Sequence, residues 1–296
     1  MIPQDFYRTH SKQSDPRAYA YLFDALPDDL DSLCQVVRNV YVHYMSGRSF
    51  PEEHKPDVDL RDIDKILATI IARYDAPLTV ERPPEQRFVG CCRDAALLLA
   101  TMLRHKGIPA RLRVGFAPYI NLGVKDFAVD HVITEVWDAS ANRWKFVDAE
   151  QDAYLIEHNQ IDFDVHDIPH DRFITGGMAW QQLRSGKIAP ELYGWELDDP
   201  TGRGEWPIRN RMLVDLLTLN KVELLLWDTW GWMNLDAHLS GEDLHALDHI
   251  AALTLEDDKA FEEVRAVYAE SPLINAPAQV MCYSPAAPWR EVTIDV

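Results

Sequence analysis

The spacing of apolar residues switches from helical to strand period at one sharp point, Gly107 to Pro109, and the elements can be read outward from there. Before it, Leu33, Val36, Val37, Val40 and Tyr41 recur at three- and four-residue intervals. This predicts an amphipathic helix within residues 17–48, broken at Pro27 and Gly47. Residues 60–74 predict a second helix through Leu60, Ile66, Ile70, Ile71 and Tyr74, after which Pro77, Pro83 and Pro84 force an extended approach to the next element. The clearest helix runs from Cys92 to Lys106. Ala95, Ala96, Leu98, Leu99, Met102 and Leu103 form its apolar stripe, and Arg104, His105 and Lys106 complement the dipole in its last turn. Gly107 offers the left-handed stop and Pro109 blocks continuation.

Beyond that stop, Leu112, Val114 and Phe116 alternate with Arg111 and Arg113, a strand pattern. A loop from Ala117 to Asp130 leads to two further strands, His131–Asp138 and Arg143–Asp148, joined by the polar turn Ala139–Asn142. Helix followed by three strands implies an antiparallel sheet with a helix packed on it. Farther on, residues 208–227, 243–253 and 259–268 predict helices separated by short loops rich in tryptophan and glycine. The expected organisation is an N-terminal helical segment over residues 1–84 packed on the core, a core over 85–152, and a mainly helical extension over 153–296 that covers the cleft. All three can pack as one domain, since 296 residues allow one large or two average domains.

Charge narrows the partners. A net charge of −19 repels phosphate backbones and anionic lipid, so no nucleic acid and no membrane is expected to bind by charge. No stretch approaches the ~18 apolar residues of a membrane helix, and the opening residues lack the apolar core of a signal peptide. The expected location is cytoplasmic, where Cys34, Cys91, Cys92 and Cys282 remain thiols. Oligomeric state is not legible.

One cysteine stands apart. A thiol at the first turn of a helix meets unpaired backbone N–H groups and the positive end of the dipole, both of which stabilise thiolate. Cys92 holds that position, with Gly90 permitting close chain approach and Arg93 adding positive charge beside it. Its proton needs a partner. If Asp138 pairs with Arg143 across the hairpin, residue 133 lies opposite Asp148. His131 then shares a face with Asp148 as its diagonal neighbour, because side chains alternate. A slip of one residue would separate them. Cys92 as nucleophile, His131 as base and Asp148 as orienting acid make a testable triad.

These residues carry a resemblance. The runs GCCRDAALLLATMLRHKGIPARLRVGF, DHVITEVWD and RWKFVDAE resemble the three core motifs of the transglutaminase-like superfamily. Cys92, His131 and Asp148 match the catalytic positions, Gly107 to Arg111 match the helix-to-strand turn, and Glu135 and Trp144 match strand positions. The flanking runs LYGWELDD and NKVELLLWDTWGW look like a common bacterial subgroup of similar length. One departure is Cys91, where a non-thiol residue is usual before the nucleophile. The resemblance implies an α+β fold, a papain-like or transglutaminase-like core with helical additions at both ends. It implies acyl transfer from an amide or peptide carbonyl through a cysteine thioester, with an amine as acceptor and no cofactor or metal. A cysteine amidase or peptidase acting on the same bond is the alternative. A non-catalytic binding module on this fold is the second.

Other residues are weighed beside the triad. Glu135 reads as a structural ion pair or as a hydrogen-bond acceptor behind the triad, not as a catalytic group. His245 and His249 have metal-like spacing but lack the glutamate of H-E-x-x-H and a third ligand. His43 reads as a core or groove residue inside a helix. Trp227, Trp230 and Trp232 could wall a cleft or sit in the core, and Asp228 between them could reach that cleft. Gln86, six residues before Cys92, has the spacing of a papain-type oxyanion glutamine, a role the chain trace of the superfamily argues against.

Overall fold

The computed structural model describes residues 2–295. At its centre the helix Cys92–His105, buried along almost its whole length, packs against the strands Ala110–Ala117 and Ala128–Asp138. These two strands pair antiparallel over eight residues, and Arg143–Val147 pairs antiparallel with the second of them. Asp138 lies opposite Arg143 and Trp137 opposite Trp144, the register expected from the hairpin. Two short strands complete the sheet, Ile174–Thr175 antiparallel on one side and Tyr193–Gly194 in parallel pairing with Ala128 and Val129. The fold is mixed α and β, with a central helix packed on an antiparallel sheet, as expected.

Several elements depart from the expected pattern for local reasons. The first long helix spans only Leu30–Val40, capped by Asp29 accepting from the Ser32 amide. The chain then extends into the strand Tyr41–His43, which runs parallel to Phe88–Gly90. His43 is therefore on a strand, not inside a helix. The strand bearing His131 begins three residues earlier than expected, at Ala128. The helix expected over 208–227 spans Glu205–Leu219. It ends because Lys221 takes a left-handed conformation, φ 59°, and the following apolar run is extended. The C-terminal part is not only helical. Asp228–Thr229, Gln279–Cys282 and Arg290–Thr293 form a small antiparallel sheet. Helices Ala153–Asn159 and Gly176–Arg184 have no counterpart in the sequence reading.

Buried charge ties the flanks to the core. Arg113 on the central strand forks onto Asp215 of the Glu205–Leu219 helix at 3.0 Å through both Nε and Nη2. Glu135 bonds Arg111 and, at 3.3 Å, Arg113, so its expected structural role holds. Burial pushes the Glu135 carboxyl up, but the two guanidinium charges outweigh it and hold its pKa below the ordinary value. Arg104, in the last turn of the central helix, meets the fully buried Glu223 at 2.6 Å. Arg93 points away from the sulfur. Its guanidinium bonds the carbonyls of Leu60, Arg61 and Glu223 and, at 2.8 Å, Asp94. It anchors the start of the helix rather than adding charge beside Cys92. No helix of the described residues is long and apolar enough to cross a membrane.

Candidate active site

Cys92 opens its helix at the floor of a cavity of about 290 Å³. The approach is tight: a Cβ on Gly90 would stand 2.6 Å from the Phe88 ring and 2.8 Å from Asp94 Oδ2. That Asp94 oxygen accepts the Cys91 amide at 2.8 Å and fixes the first turn. Cys92 itself is 5% exposed and borders the cavity together with His43, Asp130, His131 and Glu150.

The expected triad residues come together. His131 Nε2 lies 2.8 Å from Asp148 Oδ2, and His131 and Cys92 line the same cavity, the sulfur drawing the ring's pKa upward. The same-face argument from the hairpin register therefore holds. Asp148 is saturated: Tyr119 Oη and Gln151 Nε2 each donate to Oδ2 at 3.0 Å, and the Glu150 amide donates to Oδ1 at 3.1 Å. With Nε2 committed to the acid, Nδ1 is the nitrogen free to exchange a proton with sulfur. His131, Asp148 and Glu150 could in principle gather a cation, since their donor atoms lie within 4.8 Å of one another. Asp148 already accepts from His131, Tyr119, Gln151 and the Glu150 amide.

Electrostatics sort the two adjacent thiols. Burial pushes Cys91 well up, reinforced by its neighbour Cys92. A hydrogen bond from Cys91, followed by those from His131 and His43, outweighs burial and holds Cys92 well below the ordinary thiol value. Burial opposes charge on His131, but Asp148 and the sulfur raise its pKa well above that of free imidazole. For Asp148, burial is outweighed by the His131 charge, which keeps the carboxyl low. The site thus favours a thiolate–imidazolium pair on Cys92, not Cys91.

Side chains distant in sequence wall the cavity. Trp195, Trp206 and Trp227 line it, together with Arg211 and Tyr283. Arg211 bonds Asp130, the neighbour of His131, through Nε at 2.8 Å and Nη2 at 2.5 Å, and lies 5.1 Å from the Trp195 ring centroid. Among the tryptophans singled out from sequence, Trp227 reaches the cavity. Trp230 does not: it is a core residue whose indole donates to the Ile274 carbonyl at 3.0 Å. Trp232 packs against the same core. Asp228 is also absent from the cavity, being bound by Arg61 at 2.6 Å and fully enclosed. Gln86 sits on a short turn before Phe88 and does not line the cavity. His249 pairs with Glu263 on the surface at 3.3 Å.

Sequence reading missed Tyr119, Gln151, Trp195 and Trp206, and gave His43 no part in the chemistry. Gln151 alone left a signal, lying three residues after the acid in the run DAEQ. Trp195 belongs to a run set down as a flank, and nothing marked it as facing a cavity.

Residues 65–149 match the model of the transglutaminase-like superfamily, and the chain carries a transglutaminase-like domain there. That domain and the thiol at its centre define a cysteine-dependent enzyme class. No curated protein matches the chain. Among solved structures it is similar to a candidate cysteine protease from Cytophaga hutchinsonii, at 17% identity with a TM-score of 0.33. The similarity covers 57% of this chain and 44% of that one, so the match spans less than half of the solved chain's length.

Proposed function

We propose that this chain is a thiol acyltransferase that takes the acyl group of an amide or peptide carbonyl onto Cys92. His131 and Asp148 complete its catalytic triad. The observation that carries this reading is the His131 Nε2–Asp148 Oδ2 contact of 2.8 Å beside the cavity that Cys92 also lines. The thiolate attacks the carbonyl carbon, the Cys92 amide at the helix start donates to the oxyanion, and His131 protonates the departing amine. An amine then takes the acyl group from the thioester and regenerates the thiol. Three indole walls support transfer over hydrolysis, because a thioester awaits an amine only where water is kept scarce. Hydrolysis of the same bond by a cysteine amidase or peptidase remains the second reading, favoured by the part-open mouth that leaves Cys92 5% exposed.

The test needs no knowledge of the natural substrate. Incubation with p-nitrophenyl acetate, followed by peptide mapping, is expected to find an acetyl thioester on Cys92. Cys92→Ala should abolish it and His131→Asn should strongly suppress it. An acetyl group found only on Cys91, or unchanged acylation in His131→Asn, would sink the triad.

A further inference from the structure

An attack by Cys92 places negative charge on the substrate oxygen, and one backbone N–H is a thin provision for it. This inference rests on the thioester reading above and adds a residue to it. We propose that His43 supplies the second donor of the oxyanion hole through its Nε2–H, opposite the backbone N–H of Cys92.

Position comes first. His43 ends the strand Tyr41–His43 and lies opposite Gly90 in the parallel pairing, two residues before the nucleophile. The Tyr44 amide donates to the Gly90 carbonyl at 2.9 Å, and Ser46 Oγ donates to the His43 carbonyl at 2.7 Å, so the turn after the strand is pinned to the nucleophile's own approach. The ring stacks on Tyr44 with centroids 5.1 Å apart and planes 19° from parallel. Its side chain borders the same cavity as Cys92, and the sulfur draws the ring's pKa upward.

The tautomer is set by the backbone. The Met45 amide donates to His43 Nδ1 at 3.0 Å, so Nδ1 offers its lone pair and the ring proton sits on Nε2. Nε2 is then the ring's donor, left free of that backbone contact beside the cavity that Cys92 also lines. His131 has the reverse arrangement, with a carboxylate on Nε2 and Nδ1 left to trade protons with Cys92. Two histidines on one sulfur therefore divide the work: His131 moves the proton, and His43 holds charge without giving its proton up. Burial opposes charge on His43, while Glu150 and Cys92 draw its pKa upward. The neutral ring, with Nδ1 accepting from the Met45 amide, already carries the Nε2–H, so the donor needs no added proton.

Three rival donors in the cavity are occupied. Trp206 Nε1 donates to the Met233 carbonyl at 2.9 Å and Trp227 Nε1 to Asp59 at 3.1 Å. Thr229 Oγ1 donates to Asn234 at 3.0 Å. Gln86, which has the sequence spacing of an oxyanion glutamine, does not line the cavity.

Two reactions of the same sulfur isolate the oxyanion. With p-nitrophenyl acetate, Sγ bonds the carbonyl carbon and the C=O π pair moves onto oxygen, where both N–H groups receive it. The pair then returns and expels p-nitrophenolate, leaving S-acetyl Cys92. With iodoacetamide, Sγ displaces iodide directly and no oxyanion forms. Both rates are measured in each variant on the pH plateau where its Cys92 is thiolate, which removes any effect of His43 on that titration. In His43→Ala, acylation is expected to fall about 10²-fold, the usual cost of losing one such donor, while alkylation stays within about threefold. His43→Gln, which keeps a neutral N–H, should recover most of the acylation. Retained alkylation at Cys92 also certifies that the variant is folded. Equal losses in both reactions, no loss in either, or failure of glutamine to rescue would overturn the assignment. If the unaltered protein forms no acetyl thioester at Cys92, the acyl-transfer reading falls, and His43 as oxyanion donor falls with it.

Discussion

A thiolate buried as deeply as Cys92 survives only if nearby donors replace the water it has lost. Cys91, His131, His43 and the start of the helix provide them. The four thiols should therefore differ sharply in reactivity. Cys34 lies in the core and burial pushes it up to about 12, and burial also raises Cys282. Mild iodoacetamide labelling with peptide mapping is expected to modify Cys92 first, and preferential labelling of Cys34 or Cys282 would contradict this. The pH profile of that labelling carries the sign of the ion pair. Because the folded thiol is held low, alkylation should be fast well below the ordinary thiol range near pH ~8.5. It should fade only as the pH drops through the lowered value. His131→Asn removes the charge partner, so its inflection should move upward; an unmoved inflection would mean that His131 does not face the sulfur. Cys92 and Asp148 were legible at this scale because each sits where element type changes, and His131 because the hairpin register puts it on the face of Asp148. His43 was not, since Leu33 to Tyr41 kept helical spacing to within two residues of it and concealed the break at Val40.

Strand pairing decides whether the right side chains meet, and the hairpin from Ala128 to Val147 did so in the register its four-residue turn demanded. That register was readable because Asp138 and Arg143 flank the polar turn and Ile133 and Phe146 belong on one buried face. A slip would have put Ile133 and Phe146 in water. The same register explains the charged layer beneath the site. Arg111 stands opposite Glu135 on paired strands, and Arg113 two residues on also reaches it. Glu135→Gln would leave two buried guanidinium groups short of a countercharge, although Asp215 and Asp258 still hold part of each. The expected loss is about 3–5 kcal/mol in denaturant unfolding. The pH dependence has a defined sign. A carboxylate whose folded pKa lies below its unfolded value stabilises above the unfolded pKa, ~4.3 for glutamate, and the contribution is lost as pH falls through the folded pKa. The gap between wild type and Glu135→Gln should be widest near neutrality and shrink in acid. A gap that widened below pH ~4 would show that Glu135 is not held by its arginines. What lay beyond sequence at this scale was the short pairing, such as Tyr41–His43 with Phe88–Gly90, because two or three residues carry too little periodicity to register.

At the scale of the molecule, one hydrophobic cluster runs from Phe23 to Ile294, and the cavity takes walls from every part of the chain: His43 before the core, Cys92 and His131 within it, Trp195, Trp227 and Tyr283 after it. The three segments expected from sequence should then act as one cooperative unit. A chain truncated after Gln151 would expose the Asp215 side of Arg113 and is expected not to fold; a soluble, cooperatively unfolding fragment would restore the boundary. The assembly of these walls was hidden in sequence because a tryptophan-rich run looks alike whether it faces a cleft or a core. Residues 227–232 do both: Trp227 turns to the cavity, and Trp230 turns inward to bond the Ile274 carbonyl. The difference can be read in product ratios. With p-nitrophenyl acetate as acyl donor and a primary amine such as butylamine in competition with water, the wall should govern which one captures the thioester. Trp227→Ala opens one side of the cavity and is expected to raise the ratio of hydrolysis to aminolysis several-fold while leaving acylation of Cys92 largely intact. Trp230→Ala removes a core side chain instead. It should cost about 3–5 kcal/mol of stability and leave the ratio where it was. If both variants keep the wild-type ratio, the aromatic wall does not control water, and the case for transfer over hydrolysis loses its physical basis. If Trp230→Ala alone shifts the ratio, the cavity is shaped from the core beneath it rather than from the indole that lines it.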